Sequence, residues 1–190
     1  AVLKIFVFIS LKFLEKSWQV WDELQTNGVR LLGLGDAPKE GLLKELKGAL
    51  TEYYQVGNIG DYDQMYRAVG YFAWKYGHID WIESNNEFWL EVDARLRTDF
   101  NVTTGVQLDS IEAFKEKSEM KKRYAASGIR TARQVKASEG LVAAKDFSRD
   151  AGFPLFAKPD VGVGAGGAHK IESLEALEHF FAITPDVGQY

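Results

Sequence analysis

The sequence contains no cysteine, so disulfides, thiolate nucleophiles and Cys-ligated zinc are all excluded. Histidine is almost as scarce. His78, His169 and His179 are scattered along the chain and do not make a His-rich metal site. There is no apolar run near the roughly 20 residues that a membrane-spanning helix needs. The longest near the start, Ile5–Ile9, is closed by Ser10 and Lys12. It also lacks the small-residue cleavage pattern of a signal peptide, so a cytoplasmic protein is expected. Positive charge is not in excess: 23 basic against 27 acidic side chains give a net charge of −4. That argues against a general nucleic-acid or membrane binder. What remains, 190 residues with 46% hydrophobic and 26% charged side chains, is the make-up of one ordinary globular domain or two small ones.

Charge is unevenly distributed. Residues 51–114 carry four basic and eleven acidic side chains, whereas residues 115–150 carry ten basic and five acidic. A basic block of this kind forms a solvated helix face or an anion site, and the motifs around it decide between the two.

Hydrophobic periodicity predicts an α/β chain. Lys4–Ser10 is almost wholly apolar, as a strand buried on both faces is. Trp18, Trp21 and Leu24 follow at helical spacing up to Asn27-Gly28. The pattern continues with a strand at Val29–Leu34, a helix from Pro38 to about Leu46 and a strand at Thr51–Val56. A helix at Tyr62–Tyr76 is capped by Asp61, a strand covers Ile79–Ser84, and a helix at Glu87–Leu96 is capped by Asn85 or Asn86. Four strand–helix alternations describe a doubly wound domain with a parallel sheet. After Asn101 the pattern changes to a long charged helix over Ser110–Ser127, a strand at Arg133–Lys136 and a helix at Leu141–Ala151. A strand at Phe153–Lys158, a glycine-rich hairpin, a strand at His169–Glu172 and a helix from Ser173 complete a smaller α+β unit.

Three stretches bear on chemistry. Gly33-Leu34-Gly35-Asp36 lacks the third glycine of a dinucleotide fingerprint and follows the second strand, so it reads as a turn; no P-loop occurs. The second stretch is Phe153-Pro154-Leu155-Phe156-Ala157-Lys158-Pro159-Asp160, followed by Gly162, Gly164, Gly166 and Gly167. A lysine at a strand end beside four glycines in six residues offers a fixed cation and backbone amides that can approach an anion closely. The third is Glu116-Lys117-Ser118-Glu119-Met120-Lys121, leading to Ser127-Gly128-Ile129. Elsewhere, Glu87 reads as a capping acid, Glu91 as solvated or paired with Arg95, and Arg95 and Arg97 as structural ion pairs rather than a carboxylate site.

The order acid-Lys, Met-Lys, small-Gly-Ile, then aromatic-Pro-apolar-apolar-x-Lys-Pro and a glycine hairpin resembles the ATP-grasp ligases, biotin carboxylase and carbamoyl-phosphate synthase among them. Ile82–Glu87 and Asp93–Arg97 resemble the preATP-grasp domain that precedes the fold in that family. The resemblance implies an α/β architecture: a Rossmann-like preATP-grasp domain over 1–105, a linker helix over 106–130 and a small α+β lid subdomain over 131–190. It implies that Lys117 and Lys158 hold ATP phosphates and that Gly162, Gly164, Gly166 and Gly167 fold over them. Glu116 stands where many members have Asp, a departure that leaves the phosphate role untouched. The implied activity is Mg-ATP-dependent activation of a carboxylate through an acyl phosphate, with the carboxylate unidentified and no catalytic residue assigned. The adenine hinge and the acidic Mg²⁺ ligands are expected beyond Tyr190, so the chain reads as the N-terminal part of a ligase, inactive alone. A non-catalytic nucleotide-binding or regulatory module of the same fold is the alternative. Neither nucleic acid nor a membrane is expected as a partner, and a homodimer stays open.

Overall fold

A computed structural model describes residues 4–10, 18–84, 86–162 and 166–190. The chain divides into two compact units, Ala1–Ile111 and Glu112–Tyr190.

The first unit contains β1 (Lys4–Ile9), α1 (Trp18–Thr26), β2 (Val29–Gly35), α2 (Lys44–Ala49), β3 (Glu52–Gln55), α3 (Tyr62–Tyr76), β4 (Trp81–Glu83) and α4 (Leu90–Asp99). Its sheet is wholly parallel in the order β3-β2-β1-β4. Alternate residues of each strand face opposite sides. Ile5, Val7, Ile9, Leu32 and Leu34 pack with Met65, Val69, Phe72 and Leu96 on one side. Phe8 and Leu31 pack with Trp21, Leu42 and Leu46 on the other. Helices on both faces explain why β1 reads as a continuous apolar run. The expected fold class, α/β with a parallel sheet, is the one observed.

Local signals set most boundaries. Asp61 caps α3, accepting the amides of Asp63 at 3.0 Å and Gln64 at 3.4 Å. Asn86 caps a single 3₁₀ turn, Glu87–Trp89, that runs into α4. Asn85 lies outside the described residues. The helix expected from Pro38 to about Leu46 is instead a 3₁₀ turn at Lys39–Gly41 followed by α2. Between the two, Leu42 is extended, and its side chain is buried in the cluster with Trp21 and Leu46. That burial outweighs the local preference for an unbroken helix.

The second unit contains α5 (Glu112–Lys115), α6 (Lys117–Ala126), α7 (Leu141–Ala151), β5 (Leu155–Ala157), β6 (His169–Ile171) and α8 (Leu174–Ile183). β5 and β6 pair antiparallel, Leu155 opposite Ile171. The core is small: Ala144, Ile171, Leu177 and Phe180, flanked by Leu141, Leu155, Phe181 and Tyr190. Ser173 caps α8 by accepting the Ala176 amide at 3.2 Å.

Two expectations are corrected here. The helix foreseen over Ser110–Ser127 is broken at Glu116, which is extended; the Lys117 amide turns to the carbonyl of Asp160 at 3.1 Å. Arg133–Lys136 forms no strand among the described residues. Its polar groups are satisfied elsewhere. The Lys136 amide donates to Glu139 Oε1 at 3.2 Å, and the Gln134 side chain donates to the Ser118 carbonyl at 3.4 Å.

Candidate functional site

The break at Glu116 gives α6 a new N-terminus, and the segment that follows β5 closes it. Asp160 accepts the Ser118 amide on Oδ1 at 2.7 Å and the Ser118 hydroxyl on Oδ2 at 2.6 Å. It thereby caps the helix from 42 residues away, with a carboxylate where the helix dipole favours one. Lys136 Nζ lies 3.1 Å from Asp160 Oδ2. Burial pushes the Asp160 carboxyl up, but the Ser118 hydroxyl and amide and the Lys136 charge together hold it below its ordinary value. The Lys136 ammonium is raised, chiefly by its hydrogen bond to Asp160. The Asp160 amide donates to the Gln189 carbonyl at 2.7 Å, anchoring the same segment at its other side.

This latch joins α6 to the lysine-proline-aspartate segment and so fixes where the lysines stand. Lys117 donates from Nζ to the carbonyls of Asp160 at 3.2 Å and Gly162 at 3.4 Å, at the entry of the glycine hairpin. Lys158 leaves the C-terminal end of β5. Both line one cavity of about 680 Å³ within the second unit. Lys121 lines it as well, one helical turn after Lys117. Burial lowers the Lys121 pKa, and the neighbouring Lys158 charge lowers it further against a smaller opposing pull from Asp160. Phe147, Phe156, Phe180, Phe181 and Tyr190 line the cavity too. A cavity lined by both cations and aromatic rings suits a ligand that carries an anion and a flat apolar group.

Of the hairpin glycines, Gly164 lies outside the described residues. Gly167 has φ +75°, and a Cβ there would come within 2.9 Å of Pro159 Cγ and 3.2 Å of the Tyr190 hydroxyl. Both backbone and space therefore require glycine at 167. Gly162 meets only Pro159 Cβ at 3.8 Å, an ordinary distance. Asp160, Ser118 and Lys121 lie in the stretches quoted from the sequence but were given no role there, and Lys136 was not singled out. Lys121 had a usable signal, its spacing of four from Lys117; the meeting of Asp160 with Ser118 had none, because it is a contact between distant segments.

In the first unit one of the two candidate arginines, Arg97, turns inward, whereas Arg95 is exposed. Arg97 has a side chain only 3% exposed; it pairs with Glu83 at 2.7 Å and donates to the carbonyls of Ile82 and Val106 at 2.8 Å each. Arg95 stacks on the Tyr62 ring at 3.8 Å. Asp93 is fully buried and accepts the Ser84 hydroxyl at 2.5 Å and amide at 3.0 Å on Oδ2, whereas Oδ1 has no hydrogen-bond partner among the described residues. Burial pushes its carboxyl up to about 7, with the Glu83 charge adding to the rise against the Ser84 hydrogen bonds. Among the described residues no three His, Cys, Asp or Glu side chains are grouped to hold a metal ion, and no helix is long and apolar enough to cross a membrane.

Comparison with solved structures gives the fold a context. The biotin carboxylase domain of 2-oxoglutarate carboxylase from Hydrogenobacter thermophilus, a dimer in complex with MgADP, ADP and bicarbonate, matches with a TM-score of 0.72 at 19% identity, over 96% of this chain and 40% of that one. An L-amino acid ligase from Bacillus licheniformis matches with a TM-score of 0.63 at 14% identity, over 95% of this chain and 43% of that one. The biotin carboxylase subunit of pyruvate carboxylase matches with a TM-score of 0.53 at 18% identity, over 94% and 40%. No family model and no curated protein matches the sequence. The chain thus has an ATP-grasp-like fold and spans about two fifths of the length of these structures.

Proposed function

We propose that this chain supplies the phosphate-binding part of an ATP-dependent, carboxylate-activating ligase. One observation carries the reading: Lys117 and Lys158, 41 positions apart in the sequence, line the same cavity beside the entry of the glycine hairpin. Two ammonium groups in a partly desolvated cavity suit an anion better than any apolar ligand. The ligands in the first neighbour's description, MgADP and bicarbonate, are of the class this reading requires, a nucleotide and a small carboxyl-like anion.

The residues present fit ATP phosphates. Lys117 and Lys158 would hold them, and Gly162, Gly166 and Gly167 would bring backbone amides close. ATP, when bound, supplies a transferable phosphoryl group. The work of this chain is to orient the phosphates, offset their charge and limit water. Among the described residues no carboxylate cluster fits Mg²⁺, so no step is derived through that ion.

The test is a calorimetric titration of ATP into the chain and into Lys158→Met, which keeps the stem and removes the charge. Binding should be saturable, weaken at high salt, and weaken about tenfold or more in the variant. The chain by itself should show no carboxylate-dependent ADP release over a panel of acids; release at ordinary enzyme rates overturns the reading that it is one part of a ligase. Absence of saturable ATP binding, or equal binding by Lys158→Met, overturns the assignment.

A further inference from the structure

We propose that Lys121 is a third phosphate-binding lysine of this cavity. The inference rests on the reading that the cavity takes nucleotide phosphates, and it concerns a residue that the sequence motif did not assign.

The argument starts from the disposition of basic side chains around α6. Lys117 and Lys121 are four residues apart on one helix and line the same cavity wall. Lys122, the next residue, does not line the cavity and pairs with Glu119 in the turn before it. Lys136 lines the cavity but is engaged by Asp160. Among the described residues, the Lys121 side chain makes no hydrogen bond or ion pair; the charges that act on it are Lys158 and Asp160. The Asp160 carboxylate is already shared by Ser118 and Lys136. Lys121 and Lys158 therefore repel across a partly buried space, with Asp160, the carboxylate that acts on Lys121, committed elsewhere. A helix surface needs no such arrangement, since a lysine at 121 could turn to solvent as Lys122 does. A polyanion seated between the two lysines would reverse the sign of their interaction, turning repulsion into two attractive contacts.

The position also fits the charge to be matched. A triphosphate carries three to four negative charges near neutral pH, so two lysines leave it under-compensated. Lys121 brings the cavity's cations that are not held by a carboxylate to three, since Lys136 pairs with Asp160 and Arg133 with Asp150.

The experiment titrates inorganic tripolyphosphate into the full chain and into Lys121→Met, Lys122→Met and Lys158→Met. Lys122→Met removes the same charge from the same helix, one residue along. Lys121→Met should weaken tripolyphosphate binding about tenfold, and Lys122→Met less than twofold. Wild-type affinity in Lys121→Met, with Lys158→Met weakened, overturns the third lysine and leaves the phosphate site standing. Equal weakening by Lys121→Met and Lys122→Met also overturns it, because the effect would then be one of overall charge. If the unsubstituted chain binds neither tripolyphosphate nor ATP, the phosphate reading fails and Lys121 fails with it. A second readout does not depend on the variants folding. Lysine acetylation of the unsubstituted chain, mapped by mass spectrometry, should slow severalfold at Lys121 and not at Lys122 when tripolyphosphate is added. An unchanged Lys121 rate overturns the proposal.

Discussion

The two units use charge in opposite ways. In the first, Arg97 is buried and its donors are spent on Glu83 and two backbone carbonyls, while Asp93 is buried against Ser84. In the second, Asp160 is the one internal carboxylate among the groups discussed, and Lys117, Lys121 and Lys158 turn to a cavity. The cores differ in the same sense. The first unit buries a sheet on both faces, whereas the second relies on a two-stranded sheet and a four-residue cluster. Inward charge belongs with structure: it locks a strand end to a helix, and its loss costs stability. Charge facing a cavity supports little of the fold, and its loss should cost binding.

Four substitutions sharpen or break this contrast. All five tryptophans precede residue 112, so tryptophan fluorescence follows the first unit alone, and amide exchange follows the second. The largest effect is expected for Arg97→Met, which removes an end of a largely buried ion pair and the donors of the Ile82 and Val106 carbonyls. It should destabilise the first unit by about 2–4 kcal/mol in urea unfolding. The matching change in the second unit, Lys158→Met, should shift stability by less than about 0.5 kcal/mol. Comparable losses in both would erase the distinction.

Asp160→Ala comes next. It removes the cap on α6 and the partner of Lys136, and should cost the second unit about 1–2 kcal/mol. Amide exchange at Ser118 should accelerate while tryptophan-monitored unfolding stays unchanged. An unaltered Ser118 amide would show that Asp160 does not hold the helix.

The last test concerns pH. The folded-state pKa of Asp93 is raised to about 7, above the value of about 4 for an unfolded aspartate. Between those values the folded chain keeps a proton that the unfolded chain has lost. Its contribution to stability is therefore full below pH 4 and is lost as pH rises towards 7. Asp93→Asn should flatten the fluorescence-monitored stability profile of the first unit over that window. Superimposable profiles for the two proteins would mean that Asp93 titrates normally.

How much of this was legible before the structure depends on the range of the interactions involved. The apolar runs at Lys4–Ile9 and Val29–Leu34, the Asp61 cap and the helix at Tyr62–Tyr76 follow from local sequence. Strand and helix periodicity records which side chains must be buried, and this determined the fold class of the chain. The lysine at the end of β5 beside its glycines was visible for the same reason. The break at Glu116, the loss of the strand at Arg133–Lys136 and the 3₁₀ turn after Pro38 were not. The first and the third arise where a distant partner outweighs local preference: Asp160 for the Lys117 and Ser118 amides, and the Trp21 cluster for Leu42. Tertiary structure alone decided which lysines share a cavity, because Lys121 and Lys122 are chemically the same and differ only in direction. The sequence by itself determined that cations and glycines are available; the fold decided where they meet, since that depends on Asp160 reaching across 42 residues to the start of α6.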